Sequence, residues 1–401
     1  MKNHIVFKVP SFPTVSETFV VMHIIGAIQR GYAVTILADV QNNPANTSQK
    51  ELVDAYQLVD KVVTPSQPPK GTSRTLTALF YVCNPLLLYY FIKYCRYRKK
   101  RTWTYLFRLK HYLPYRKATA YHVHFATALD PLPDLKAIGF LKGTIVVTFH
   151  GHDEQQLPHG AQLKKLVATY QDRVGAITVN SAYLRSKLVN KGFNQEQIKI
   201  VPIGVDGAYF TNERPKPSKP PFKLLSIGRL IPLKGHHLGL EVVRQLKQQG
   251  RAVHYTIIGK GPREENLKER VTQLEIEAQV TFTGALSQKA IKKELGSHHC
   301  LLMTSTVDDT GRRETFGVVS LEAQAMGLPV IGFRSGGFPE TVLDTKTGIL
   351  VPDGDVTAMA EAVKTLMDAP EKREAMGQAA ISHIQTNFDL THTLKGYFEC
   401  Y

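Results

Sequence analysis

Cysteine is scarce and scattered. The 401 residues hold four, at Cys83, Cys95, Cys300 and Cys400, and none forms a C-x-x-C pair. That argues against a disulfide framework or a cysteine-built zinc site, and it fits a reducing compartment. Long apolar runs are also missing. The longest, LTALFYVCNPLLLYYFI from Leu76 to Ile92, is broken at Asn84-Pro85 and falls short of the roughly 20 residues that a membrane-spanning helix needs. MKNHIVFKVPSF, at the start, has too short an apolar run before Pro10 for a secretory leader and reads as a first strand. No GxxxxGK[ST] phosphate loop occurs. IGKGPREENL holds Gly259 and Gly261 but lacks the third glycine of a dinucleotide fingerprint, because Glu264 stands there. Acidic residues are few in one half: residues 1–200 carry 26 Lys+Arg against 11 Asp+Glu, and residues 201–401 carry 24 against 23. The net charge of +16 therefore sits almost wholly in the first half, which implies a polyanionic partner or, more blandly, a solvated basic face.

What is present suits a folded chain. Hydrophobic residues at 43% and charged residues at 21% bury a real core. Strand-like segments at 5–9, 33–38, 122–125, 144–149 and 176–180 alternate with helical ones at 16–29, 161–171 and 182–191. The proline-rich NERPKPSKPPF, residues 212–222, interrupts the pattern as a linker. The alternation then restarts, with strands at 223–228, 254–259, 280–282, 300–304 and 329–333. Helices fit at 235–249, 263–276, 288–295, 318–326, 356–368 and 371–386. The expected architecture is α/β: two Rossmann-like, doubly wound parallel-sheet domains, residues 1–211 and 223–388, facing a cleft. Residues 389–401 are expected to form a C-terminal helix that packs back on the first domain. Ligands of such sheets bind outside the carboxyl ends of the strands.

One stretch concentrates chemistry there. RRETFGVVSLEA, Arg312 to Ala323, puts Glu314 in a loop, Gly317 at a helix start and Glu322 inside the helix. The helix start is an anion site fit for a phosphate. A carboxylate can accept two hydrogen bonds from vicinal sugar hydroxyls. The bland reading is a helix-dipole Glu followed by a solvated one. SIGRLIPLKG adds Arg229 and Lys234, cations in a strand-to-helix turn where a leaving diphosphate would need neutralising. RSGGFPE, Arg334 to Glu340, is another glycine turn at a strand end.

GRLIPLKG, GKGP, FTGAL, RRETFGVVSLEAQAMGLPV, GGFPETV and TGILVPDGD, in this order, resemble the retaining GT-B glycosyltransferases of family 4, and the two glutamates match that family's E-x7-E element. FPTVSETFV, HVHFA, TFHGHD and VPIGVD are similar to the branch that builds bacterial exopolysaccharide, such as the colanic-acid-type transferases. The resemblance implies roles. Arg229 and Lys234, with Gly228 in the same turn, would bind the donor diphosphate. Glu322 would bind the ribose and Glu314 the transferred sugar. The backbone at Phe316, Gly317 and Val318 would hold sugar and phosphate, and His150 would sit at the reacting centre. It implies a UDP- or GDP-sugar donor as substrate with no cofactor, a glycan or polyprenyl-diphosphate-linked acceptor, retention of configuration, and the cytoplasmic face of the inner membrane as the place of work.

Other features are weighed beside it. HVH puts His122 and His124 on one strand face, but no third ligand stands at metal-site spacing, so no metal is expected. Asp353-Gly-Asp355 reads as a loop rather than a metal-binding DxD. In SETF, Ser16 is a good N-cap, and Ser16, Glu17 and Thr18 are expected on the acceptor side, although relatives have a glycine pair there. Residues 93–117 hold ten Lys/Arg, no acids and the only tryptophan, Trp103. That pattern reads as an interfacial segment for an anionic membrane surface rather than for nucleic acid. The rival functions are a nucleotide-sugar enzyme of different chemistry, such as an epimerase, and a non-catalytic scaffold.

Overall fold

A computed structural model describes residues 3–15, 17–66, 71–211 and 220–401. The chain divides into two compact units. The first comprises Met1–Val179, Arg185–Ile200 and Gly396–Tyr401, and the second Asn180–Leu184 and Val201–Lys395.

The first unit is built on β1 (His4–Phe12), β2 (Ala33–Gln41), β3 (Val62–Val63), β4 (Ala120–His124), β5 (Thr144–Phe149), β6 (Ala176–Val179) and β7 (Ile198–Ile200), in the order β3-β2-β1-β4-β5-β6-β7. The second is built on β8 (Phe222–Ile227), β9 (Val253–Ile258), β10 (Val280–Gly284), β11 (Cys300–Met303), β12 (Val330–Phe333) and β13 (Gly348–Val351), in the order β10-β9-β8-β11-β12-β13. All the pairings are parallel. Each sheet reverses its order once, between β1 and β4 and between β8 and β11. A doubly wound sheet opens its ligand crevice at such a reversal. The two Rossmann-like domains of a GT-B fold are therefore present.

The central strands read as continuous apolar runs because both faces are covered. Ile145, Val146 and Val147 of β5 are fully buried, as are Leu224 and Leu225 of β8. The core of the second unit gathers Leu224, Ile257, Leu302 and Ile331 against the helices His236–Gln248 and Val356–Asp368. Within it the Tyr255 hydroxyl donates to Ser226 Oγ at 2.7 Å, which donates to the Leu302 carbonyl at 2.7 Å, tying β9, β8 and β11 together.

Three strands were not foreseen. β3 and β7, two and three residues long, are too short to show a pattern, and β13 lies inside the glycine-flanked TGILVPDGD. The helix after β1 begins at Thr18, with Glu17 rather than Ser16 at its N-cap position and no side-chain cap hydrogen bond. Pairing with β2 continues through Phe12↔Gln41, which delays the turn into the helix. Ser16 itself lies outside the described residues, as do residues 212–219 of the linker.

The run Leu76 to Ile92 falls in two helices, Thr72–Val82 and Pro85–Arg98, bent by 114°. The break is written locally: Asn84 Oδ1 accepts from the N–H groups of Leu86 and Leu87 at 3.0 and 3.2 Å, and Pro85 occupies the first turn. Among the described residues no single helix is long and apolar enough to cross a membrane.

Two glycines position the loop after β8. Gly259 has φ +148°, and a Cβ there would strike the Gly228 carbonyl. A Cβ on Gly261 would lie 2.7 Å from Leu230 N. Bare backbone lets the two loops bond, Leu230 N–H to Lys260 O and Arg263 N–H to Leu230 O, both 3.0 Å. Arg229 is held at this junction.

Candidate active site

The order reversal of the second sheet collects the charged groups of GRLIPLKG and RRETFG. Lys234 ends a short 3-10 turn after β8. Its stem runs over Gly228, where a Cβ would meet Lys234 Cδ at 3.3 Å, so the glycine makes room for the lysine. The Lys234 ammonium bonds Glu314, which follows β11; the side chains are 20% and 13% exposed. Ser305 Oγ donates to the same carboxylate at 3.5 Å. Burial alone would raise the Glu314 pKa, but Lys234 and the backbone N–H groups of Phe316 and Thr315 outweigh it and hold the carboxyl below its ordinary value. Glu314 is thus an anion fixed beside a cation in a partly desolvated site. A buried pair is weak evidence of stability, because desolvation offsets the Coulomb gain. It is better evidence of a site.

Gly317 (φ +88°) forms the N-cap of the helix Val318–Ala325 with no side-chain cap bond. A Cβ there would press to 3.0 Å from Met303 Cε and 3.3 Å from Phe338. The Phe316 ring is buried, edge-on to Phe388, and half-buried Val318 opens the helix. The first-turn N–H groups of such a helix have no intrahelical acceptor. Glu322, one turn on, is 8% exposed, which rules out the solvated-face reading. Among the described residues no cation pairs with it, and burial pushes its carboxyl up to about 7. Arg229 is exposed, and among the described residues it has no carboxylate partner.

Asp353 accepts from Thr306 Oγ1 at 2.7 Å and pairs with Arg313. Asp355 caps the helix Val356–Asp368 through Ala358 N–H at 2.8 Å. The DGD loop is therefore occupied with folding. His236, which the sequence reading passed over, is buried directly after Gly235. Burial first, then the Lys234 charge, lowers its pKa to about 4, so the ring is neutral.

In the first unit the sheet reversal collects histidines. His150 follows β5, its ring lying 4.3 Å from that of Phe19 and 4.6 Å from that of Phe125. Phe125 holds a strained φ of +72°, of the kind that clusters at functional sites. Asp153 pins the TFHGHD turn: Oδ1 accepts from the N–H groups of His150 and Gly151 at 3.0 Å each, and Oδ2 from Ala126 N–H at 2.9 Å. Burial nevertheless pushes the Asp153 carboxyl up to about 6. His122 and His124 do share a face of β4, and both are fully buried. The expectation that no third imidazole joins them is corrected. His23, from the helix Thr18–Gln29, brings a ring nitrogen within 4.8 Å of theirs, and a ligand on another element leaves no mark in local spacing. Glu17 and Thr18 are half-buried in the same first turn as Phe19.

Comparison with known proteins places both halves of the chain among glycosyltransferases. Glycosyltransferase Family 4 matches residues 16–208 and Glycosyl transferases group 1 matches residues 210–383. The chain belongs to the family 4 glycosyltransferases. It is 29% identical over 387 residues to a protein named as a colanic acid biosynthesis glycosyltransferase, WcaL, of Escherichia coli (strain K12), covering 88% of each chain. It is 27% identical to the amylovoran biosynthesis glycosyltransferase AmsK of Erwinia amylovora, covering 96% and 95%. Anabaena Alr3699/HepE, solved in complex with UDP and glucose, superposes with a TM-score of 0.74 at 17% identity over 99% of both chains, a likeness of fold.

The Glu322 carboxyl gives this site a pH signature. Its pKa is raised from 4.5 in the unfolded chain to about 7 in the folded one, so folding favours the protonated form. That stabilisation is whole below about pH 4.5 and is lost as pH rises through 7. In urea unfolding of the ligand-free enzyme, wild type should lose roughly 3 kcal/mol relative to Glu322→Gln between pH 5 and pH 8. Parallel curves for the two proteins would contradict this.

Proposed function

We propose that this glycosyltransferase moves a hexose from a nucleotide-diphosphate sugar to a glycan or polyprenyl-diphosphate-linked acceptor in bacterial cell-surface polysaccharide synthesis, with retention of configuration. The observation that carries the reading is the Lys234–Glu314 pair, set beside the helix start at Gly317 and the buried Glu322. A cation, free helix N–H groups and two carboxylates fit the parts of a nucleotide sugar one by one. Lys234 and Arg229 neutralise the diphosphate as it leaves, and the N–H groups after Gly317 hold its oxygens. Glu322 accepts from the ribose hydroxyls. Glu314, freed from Lys234, accepts from hydroxyls of the transferred hexose. His150, Glu17 and Thr18 serve the sugar and acceptor side. No metal is assigned a step. Two relatives' names support the donor class: Alr3699/HepE was solved with UDP-glucose, and a Mycolicibacterium smegmatis mannosyltransferase, 31% identical over 253 residues, is called GDP-mannose-dependent.

The basic segment fits work at the inner face of the cytoplasmic membrane. Several of its cations already have partners within the protein: Arg98 pairs with Asp134 at 3.5 Å, Arg108 with Asp130 at 2.6 Å, and Arg116 lies over the Tyr90 ring. Arg96, Lys99 and Arg101 instead line a groove of about 750 Å³ with Phe91, Ile92 and Trp103. Nearby, Leu76, Leu79 and Phe80 are 67%, 51% and 75% exposed. Apolar side chains beside free cations suit an anionic lipid surface, where each cation is worth about 1 kcal/mol.

Two measurements check these readings. In a panel of UDP- and GDP-sugars, one donor should raise the unfolding midpoint as mass action requires, and Arg229→Ala or Lys234→Ala should remove the rise. A midpoint unmoved by every donor would overturn the donor site. In vesicle sedimentation, wild type should bind anionic but not zwitterionic lipid, weakening with salt and with combined Arg96, Lys99, Lys100 and Arg101→Gln. Equal binding to both lipids would sink the membrane assignment.

A further inference from the structure

Behind His150 runs an unbroken hydrogen-bonded chain. Thr178 Oγ1 lies 2.6 Å from Thr148 Oγ1, which lies 2.7 Å from His122 Nε2. His122 Nδ1 lies 2.8 Å from the hydroxyl of Tyr401, and that hydroxyl lies 2.9 Å from His23 Nε2. His23 Nδ1 lies 3.1 Å from His124 Nε2, and His124 Nδ1 lies 3.0 Å from His150 Nε2. The last residues of the chain thus close a path between the floor of the first sheet and His150. The Tyr397 ring, stacked on His23 at 4.2 Å, shields it.

The proton count along this path is restrictive. Burial holds His23, His122 and His150 well below their ordinary pKa and His124 at about 3, and it raises the Tyr401 phenol well above its own. Each imidazole therefore carries one N–H and the phenol one O–H. Each link needs one proton, since two facing lone pairs or two facing hydrogens would leave buried polar groups unsatisfied. If Tyr401 donates to His122, then His122 must donate from Nε2 to Thr148. His23 must donate from Nε2 to Tyr401, His124 from Nε2 to His23, and His150 from Nε2 to His124. If Tyr401 donates to His23, every step reverses and all four rings carry their proton on Nδ1. The one other arrangement, in which Tyr401 accepts from both rings, leaves its own buried O–H without an acceptor along the path.

We propose that Tyr401 is a positioning residue that locks His23, His122, His124 and His150 into one shared tautomer and thereby sets which nitrogen of His150 carries the proton. Its bearing on catalysis rests on the role proposed above for His150. A buried three-histidine metal site is the competing use of the same rings. Two features favour the proton chain. The facing nitrogens of His23 and His124 are at hydrogen-bond distance from each other. Moreover, burial is the main cause that lowers these rings, the charges that add to it at His23 and His122 are other histidines, and no carboxylate stands among them to balance a divalent cation.

The test uses the 401-residue protein, labelled with ¹⁵N at histidine, and no substrate. Long-range ¹H–¹⁵N correlation reads each tautomer, with assignments from single His→Gln variants. In wild type the four rings should agree, all Nε2–H or all Nδ1–H. Tyr401→Phe should split them. A bare buried nitrogen is tolerated better than an orphaned N–H, so His122 should become Nε2–H while His23, His124 and His150 become Nδ1–H. Thr148→Val should instead drive all four to Nδ1–H, and it supplies the answer if Tyr401→Phe does not fold. Mixed tautomers in wild type, a response of His122 alone to Thr148→Val, or stoichiometric metal by elemental analysis would each overturn the proposal. Because no substrate is present, a failure of sugar transfer would overturn the proposed function and leave this result standing.

Discussion

The Lys234–Glu314 ion pair is the constraint on which the second unit's site depends. Its two halves come from loops after β8 and β11, the strands between which the sheet reverses its order. Small residues accommodate it: Gly228 lies under the lysine stem, and a Cβ on Gly336 would strike the Glu314 carbonyl. The pair keeps two charges compatible with burial before a donor binds. On the proposed mechanism the donor replaces it with two better-matched partners, diphosphate for the ammonium and hydroxyls for the carboxylate, so the site is preorganised in charge as well as shape.

The two units use the same device with different chemistry. At each sheet reversal a loop with restricted backbone holds a polar cluster that would be costly if left unsatisfied. In the second unit the cluster is ionic. In the first it is neutral, a file of imidazoles closed by a phenol, whose burial excludes charge. That difference suits the proposed division of labour, in which one unit meets a charged leaving group and the other a sugar and an acceptor hydroxyl.

Much of this was legible in the residues. Strands such as β5 (Thr144–Phe149) and helices such as Val356–Asp368 emerge with the bounds expected from apolar runs and caps. Glu314, Arg229 and Lys234 were legible as candidates because they lie in strand-end loops, where neighbouring sequence already marks the place, and Glu322 because it stands in the helix that opens from one of them. The pairing of Lys234 with Glu314 was not, since it depends on β8 and β11 being adjacent. Nor was the histidine file. His23 sits on an apolar helix face and looks like core, and Tyr401 stands 378 residues from His23 and 279 from His122. Only the register of β1 with β4 and the return of Gly396–Tyr401 to the first unit bring them together. Local pattern reports local structure, and contacts between distant segments require the topology.

The most direct test of the central claim follows the sugar itself. Purified enzyme is incubated with a nucleotide sugar and a lipid-linked glycan extract, and both substrates are followed by mass spectrometry. Wild type should add one hexose to the acceptor and release one nucleoside diphosphate for each, and Lys234→Ala should slow both about 10²–10³-fold. An isomerised donor without transfer, or an undiminished product from Lys234→Ala, would contradict the account.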